Sequence, residues 1–116
     1  MSSKSTVESH LSGKAPIVQA IYDRLLAELR EFGPVQEAPQ KTSINLDHTV
    51  SFAGVYARKT YINLRFRLRR NLEHPRIVKS EQLAARQFML TVRLEDEADL
   101  DGEVLGWLKE AYNLAG

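Results

Sequence analysis

The sequence predicts an α+β fold, an antiparallel sheet of four to five strands with two main helices packed on one face, and three patterns carry that expectation. Apolar residues recur at steps of three and four from Val18 to Phe32, as one stripe of an amphipathic helix requires. From Thr60 to Arg70 the period drops to two: Ile62, Leu64, Phe66 and Leu68 point one way, and Tyr61, Asn63, Arg65, Arg67 and Arg69 the other. A second helical stripe, Leu100, Val104, Trp107, Leu108 and Ala111, closes the chain. Each long helix has a single apolar stripe, so both are expected on the apolar side of the sheet, leaving the other side partly open.

The elements follow in order. Ser5-Thr6-Val7-Glu8 has the form of a capping box and predicts a short helix to about Leu11, ended by Gly13. Pro16 then suits the first turn of the main helix, whose stripe is Val18, Ile21, Tyr22, Leu25, Leu26, Leu29 and Phe32. Gly33-Pro34 stops it. Gln36 to Gln40 reads as a connection. From Lys41, Thr42, Ile44 and Leu46 alternate against Ser43 and Asn45, and a polar Asp47-His48 turn leads to a second strand, Val50 to Ala57.

Two-residue turns at Asp47-His48 and Arg58-Lys59 would set the register of this meander. They place Leu46 opposite Thr49, Ile44 opposite Ser51, Val55 opposite Ile62 and Ala53 opposite Leu64. The outer face would then show three rows: Lys41, Gly54, Asn63; Ser43, Phe52, Arg65; and Asn45, Val50, Arg67. Tyr56 and Tyr61 would face each other at one end. Pro75 marks a surface connection. Ile77 to Gln82 suits a strand, whereas Ser80 to Arg86 suits a short helix capped by Ser80. Phe88, Leu90, Val92 and Leu94 alternate again as a strand, and the final helix takes Asp99 as its expected cap.

Composition bounds the possibilities. With 116 residues, 43% of them hydrophobic, the chain is expected to be one domain, 1–116, with a real core. There is no cysteine, which removes disulfides, thiolate metal sites and cysteine nucleophiles, and a reducing cytoplasm is the expected location. No stretch has the length and apolarity of a signal peptide or a membrane span. The net charge of +1 conceals blocks of −1 over 1–57, +8 over 58–93 and −6 over 94–116. A basic patch is expected on the middle strands, unless the acidic tail folds alongside and cancels it.

Motifs for chemistry fall short. Glu97-Ala98-Asp99-Leu100-Asp101-Gly102 imitates the start of a calcium loop, but Leu108 stands at the twelfth position, where the bidentate glutamate belongs. Gly13-Lys14 lacks the first glycine and the Ser or Thr of a phosphate loop. His10, His48 and His74 have no metal-site spacing and read as surface histidines. No catalytic residue, metal or cofactor is assigned on these grounds.

The order of elements and several segments resemble one family. Thr6 to Lys14, Lys41-Thr42, Phe52-Ala53-Gly54-Val55 with Arg58-Lys59, Pro75-Arg76-Ile77-Val78, and Gly106 to Tyr112 together resemble the bacterial domain-of-unknown-function family 5655, over nearly the whole chain. Some of its members are labelled predicted transport proteins, a label that implies no mechanism. The resemblance implies a strand from Ile77 in a hairpin with the Phe88 strand. It also implies an aromatic where Ser43 stands, so an aromatic ligand contact there is not carried over.

The basic sheet face is the strongest functional signal. Arg65, Arg67, Arg69 and Arg93 offer forked donors for phosphate or carboxylate, Phe52, Tyr56 and Tyr61 offer planes for stacking, and Lys41, Arg58 and Asn63 complete the expected site. This points to a non-enzymatic module that binds an anionic ligand or nucleic acid. The alternative is a homodimer or protein-interaction domain in which Phe52, Tyr56 and Tyr61 pack against another copy with the arginines at the rim.

Overall fold

The computed structural model describes residues 6–115. Its elements are α1 (Val7–Leu11), α2 (Pro16–Arg30), β1 (Gln36–Pro39), β2 (Ile44–Asp47), β3 (Ser51–Ala57), β4 (Ile62–Leu68), β5 (Ile77–Ala84), β6 (Gln87–Leu94) and α3 (Gly102–Leu114). All strand pairs are antiparallel, in the order β1-β2-β3-β4-β6-β5. The sheet thus has six strands, not four to five.

The additional strand is the Gln36–Pro39 segment, expected to be a connection. Its composition is polar because β1 is a sheet edge, half-buried at most, and Pro39 at its end needs no ladder partner for a missing N–H. Ile77–Ala84 is a strand. Its helix-forming residues are overridden by pairing with β6, which leaves almost every side chain of β5 exposed.

The starts of α1 and α3 follow capping chemistry, each shifted from expectation, while α2 begins at Pro16 with no side-chain cap. The expected cap Ser5 lies outside the described residues; Thr6 caps α1, its hydroxyl accepting from Ser9 N–H at 3.0 Å while Ser9 Oγ accepts from Thr6 N–H at 2.9 Å. At the last helix, Asp99 closes a 3₁₀ turn (Glu97–Asp99) and Asp101 caps α3, accepting from Val104 N–H at 3.0 Å. Two carboxylates thus divide a role that the acidic run had suggested for one.

The stripe of α2 (Val18, Ile21, Tyr22, Leu25 and Leu29) and that of α3 (Val104, Trp107, Leu108 and Ala111) bury against Ile44, Leu46, Val55, Leu64, Phe66, Leu90 and Val92. Each such aliphatic or aromatic side chain contributes roughly 1.5–3 kcal/mol through burial. Phe66 stacks on Trp107 with ring centroids 6.2 Å apart. At the opposite end of α3, Tyr112 gathers Phe32, Phe52 and His48 around its ring and donates from its hydroxyl to Pro34 O at 3.0 Å. Gly33 is needed there. Its φ of +148° is open to glycine, and a Cβ at that position would lie 2.5 Å from Tyr112 Oη.

The histidines are docked rather than free. His48 lies parallel to Tyr112 at 3.8 Å, with Nδ1 3.1 Å from Tyr112 O, and His74 sits edge-on to Trp107 with Nε2 2.9 Å from Glu103 Oε1. His10 Nε2 is 2.6 Å from Gln40 O, which ties α1 to the β1–β2 turn.

Candidate basic sheet face

The face of the sheet opposite α2 and α3 is set by strand register. β2 pairs with β3 through Ile44–Val55, Asn45–Gly54 and Leu46–Ala53; β3 pairs with β4 through Ala53–Phe66, Gly54–Arg65 and Tyr56–Asn63. These registers differ from the expected ones by four residues and two residues. The reason lies in the turns. Neither loop has Asn-Gly chemistry, and both are longer than two residues: Arg58 to Tyr61 is closed by Arg58 N–H donating to Tyr61 O at 2.8 Å, and His48 N–H donates to Val50 O at 3.0 Å.

A slip by an even number leaves each side chain on its expected face but changes its neighbours. The rows are therefore Asn45, Gly54, Arg65, Thr91 and Lys79; Tyr56, Asn63 and Arg93; and Arg67, Met89 and Glu81. Lys41 is displaced from its expected row into the exposed β1–β2 turn. Ser43 is buried just before β2, and Val50 sits in the β2–β3 turn.

Phe52 is the one aromatic that changes sides. The register shifts between Leu46 and Asp47, so that Phe52 and Ala53 are consecutive buried residues on β3. Phe52 packs edge-on against Tyr112 at 5.3 Å and is 2% exposed, so its ring belongs to the core. An alternating pattern cannot signal a bulge.

On the outer face Arg65 is the most tightly held cation. Its Nη2 is 2.9 Å from Glu81 Oε1, its Nη1 donates to Tyr56 Oη at 3.2 Å, and the guanidinium stands 5.3 Å from the Tyr56 ring centroid. The Tyr56 hydrogen bond, and then the Glu81 charge, outweigh partial burial and raise the Arg65 pKa further. Arg93 covers Tyr61 at 4.3 Å. Neither Arg67 nor Arg93 is ion-paired among the described residues.

The acidic tail pairs with basic side chains elsewhere. Glu110 takes Arg70 in a bidentate pair at 2.9 and 3.1 Å, Asp101 takes Arg76 at 2.9 Å, and Glu103 takes His74. The Asp101 carboxyl is held below the usual carboxylate range, first by the Val104 N–H and next by the Arg76 charge. The carboxylate on Arg65 comes instead from β5.

Two shallow depressions pit this face. One, of about 170 Å³, lies over Gly54, where no side chain rises between Asn45, Tyr56 and Arg65. The other, of about 230 Å³, opens between Tyr56, Arg58, Asn63, Arg65, Lys79 and Thr91. Its wall contains Asn63, whose enclosed Oδ1 has no hydrogen-bond partner among the described residues. The structure thus brings together Tyr56, Arg58, Asn63 and Arg65, with Tyr61, Arg67 and Arg93 on the flanking positions. Lys79, Thr91 and Met89 were missed, because their placement depends on β5 and on the β4–β6 pairing. The alternation of Lys79 and Glu81 was the available signal.

Among the described residues, no three His, Cys, Asp or Glu side chains converge as a metal site, and no helix is long and apolar enough to cross a membrane. A family model described as a domain of unknown function (DUF5655) matches residues 7–115, and the chain belongs to that family. No curated protein and no solved structure is detectably similar to it.

Proposed function

We propose that this member of the family is a non-enzymatic binding module whose basic sheet face holds an anionic partner, a single-stranded nucleic acid being the polymer best matched to it. The observation that carries the reading is that Arg67 and Arg93 have no carboxylate partner among the described residues, on the face turned away from both main helices. Arginines with no other role in the fold are free to exchange solvent for phosphate. Tyr61 supports Arg93 from beneath, as Tyr56 does the neighbouring Arg65, leaving those guanidinium groups open to stacking from the outer side. Self-association through the same face is disfavoured: Phe52 is in the core, the tyrosines lie under arginines, and two such faces would repel.

The test is titration of a fluorescent single-stranded oligonucleotide at several salt concentrations. Contact by Arg65, Arg67 and Arg93 predicts a slope of log affinity against log salt of about −2, hence a roughly 15-fold loss between about 50 and 200 mM salt. Replacing Arg67 and Arg93 by Gln should abolish most of that slope and leave the circular dichroism spectrum unchanged. Absence of binding at low salt, or binding that ignores salt, refutes the proposal.

A further inference from the structure

A second pocket lies at the opposite end of β4 from the Arg93 row, where the C-terminal turn of α3 meets the β2–β3 turn and the tip of the β5–β6 hairpin. We propose that this corner binds a small organic anion, a carboxylate or phosphate monoester carried on a ring-sized apolar group. The pocket holds about 170 Å³ and is lined by apolar Val50, Ala111 and Leu114 and by Arg67, Arg69 and Arg86. Val50 and Leu114 are two of only four large hydrophobic side chains exposed among the described residues, at 59% and 38%. Two of four in one pocket is a concentration that the fold itself does not require.

The charge is equally uneven. The three arginines come from two segments of chain, Arg67 and Arg69 from the end of β4 and Arg86 from the β5–β6 turn; no acidic residue lines the pocket, and none of the three is ion-paired among the described residues. Arg70, by contrast, turns to Glu110. The carbonyl end of α3 also faces this corner, and α3 has no basic residue in its own last turn. That end is equivalent to roughly half a negative charge, which offsets only a fraction of three guanidinium groups. An oxyanion would meet the remainder. An apolar cavity of about 150 Å³ is enough for a benzene ring, so the volume suits one ring or a short alkyl group. Arginine stems can cover apolar surface with their methylenes, but here Val50 and Leu114 remain in contact with solvent.

The inference is independent of nucleic-acid binding, with Arg67 alone common to both sites. Phenyl phosphate and benzoate are titrated into the full chain while the methyl signals of Val50 and Leu114 are followed by NMR, with inorganic phosphate and acetate as controls. The expected result is that at least one aromatic anion shifts both methyls and binds at least tenfold more tightly than its control. The paired substitutions Arg69→Gln and Arg86→Gln should then weaken it about tenfold, whereas Arg93→Gln leaves it unchanged. Equal affinity for the aromatic and control anions, shifts confined to the Arg65 and Arg93 region, or no binding of either aromatic anion overturns the proposal. Retained oligonucleotide binding by the Arg69→Gln, Arg86→Gln variant would show that the two sites stand or fall separately.

Discussion

Removing the carboxylate that holds Arg65 should tighten binding to the sheet face. Glu81 lies 2.9 Å from Arg65 Nη2, with the two side chains 41% and 30% exposed. A surface pair of this kind contributes about 0–1 kcal/mol, so Glu81→Gln should lower the melting temperature by no more than about 4 °C. The effect on an incoming phosphate is of opposite sign. With the phosphate about 6 Å from Glu81 and an effective dielectric constant of about 40 to 80, the repulsion removed is roughly 0.7–1.4 kcal/mol, or about three- to tenfold in affinity. Fluorescence anisotropy with a labelled oligonucleotide, at low salt where the difference is largest, reads this directly. In the Arg65→Gln background Glu81 keeps only the longer contact to Lys79, at 3.6 Å, and still repels, so Glu81→Gln should improve affinity there as well. Unchanged or weaker binding by a folded Glu81→Gln protein would show that the anion does not sit beside Arg65.

The remaining tests probe the frame that supports the face. Gly33→Ala should cost about 2 kcal/mol in urea unfolding, because φ is +148° and the new Cβ meets Tyr112 Oη; Tyr112→Phe should recover part of that loss, since the obstructing oxygen is then gone. Asp101→Ala should cost about 1 kcal/mol as a lost helix cap, while Asp101→Asn, which retains the acceptor, should cost less. Because the Asp101 pKa is lowered by folding, its contribution is complete above the unfolded value near 3.8 and lost as pH falls; stability measured from pH 6 to 2 should decline less in Asp101→Asn. Tyr22 donates to Glu37 Oε2 at 2.5 Å, and burial, reinforced by that carboxylate, raises its pKa. A raised pKa gives stability that is full below the unfolded value near 10 and lost as pH climbs past it, so Tyr22→Phe should flatten the alkaline limb of a stability-versus-pH curve.

Much of the frame was legible because local chemistry and tertiary demand agree. The stripe Val18 to Leu29 buries as its spacing implies, the helix stops at Arg30, just short of Gly33-Pro34, and β4 alternates between buried and open faces residue by residue, whereas in β6 Thr91 is covered although it lies on the open side. Disagreement arose where an edge relaxes the pattern. β1 and β5 lie at the two margins of the sheet, so neither needs a continuous apolar face, and both were weakly marked as strands. Within the site, Arg65, Arg67 and Arg93 could be placed on the outer side from periodicity, but Lys79 could not without β5, and Phe52 could not without the bulge.

The amino-acid order by itself determined the α+β class, the side of the sheet to which Arg65 and Arg67 point and the absence of cysteine chemistry, since each depends on composition or on a repeat of two or 3.6 residues. Only tertiary structure decided which residues are neighbours across the strands, because a shift by two or four leaves an alternating pattern unaltered. It also decided where the charges cancel. A carboxylate acts over a few ångströms of space rather than along the chain, so Glu110 and Asp101 reach Arg70 and Arg76, while Arg67 and Arg93 lie beyond their reach on the other side of the sheet.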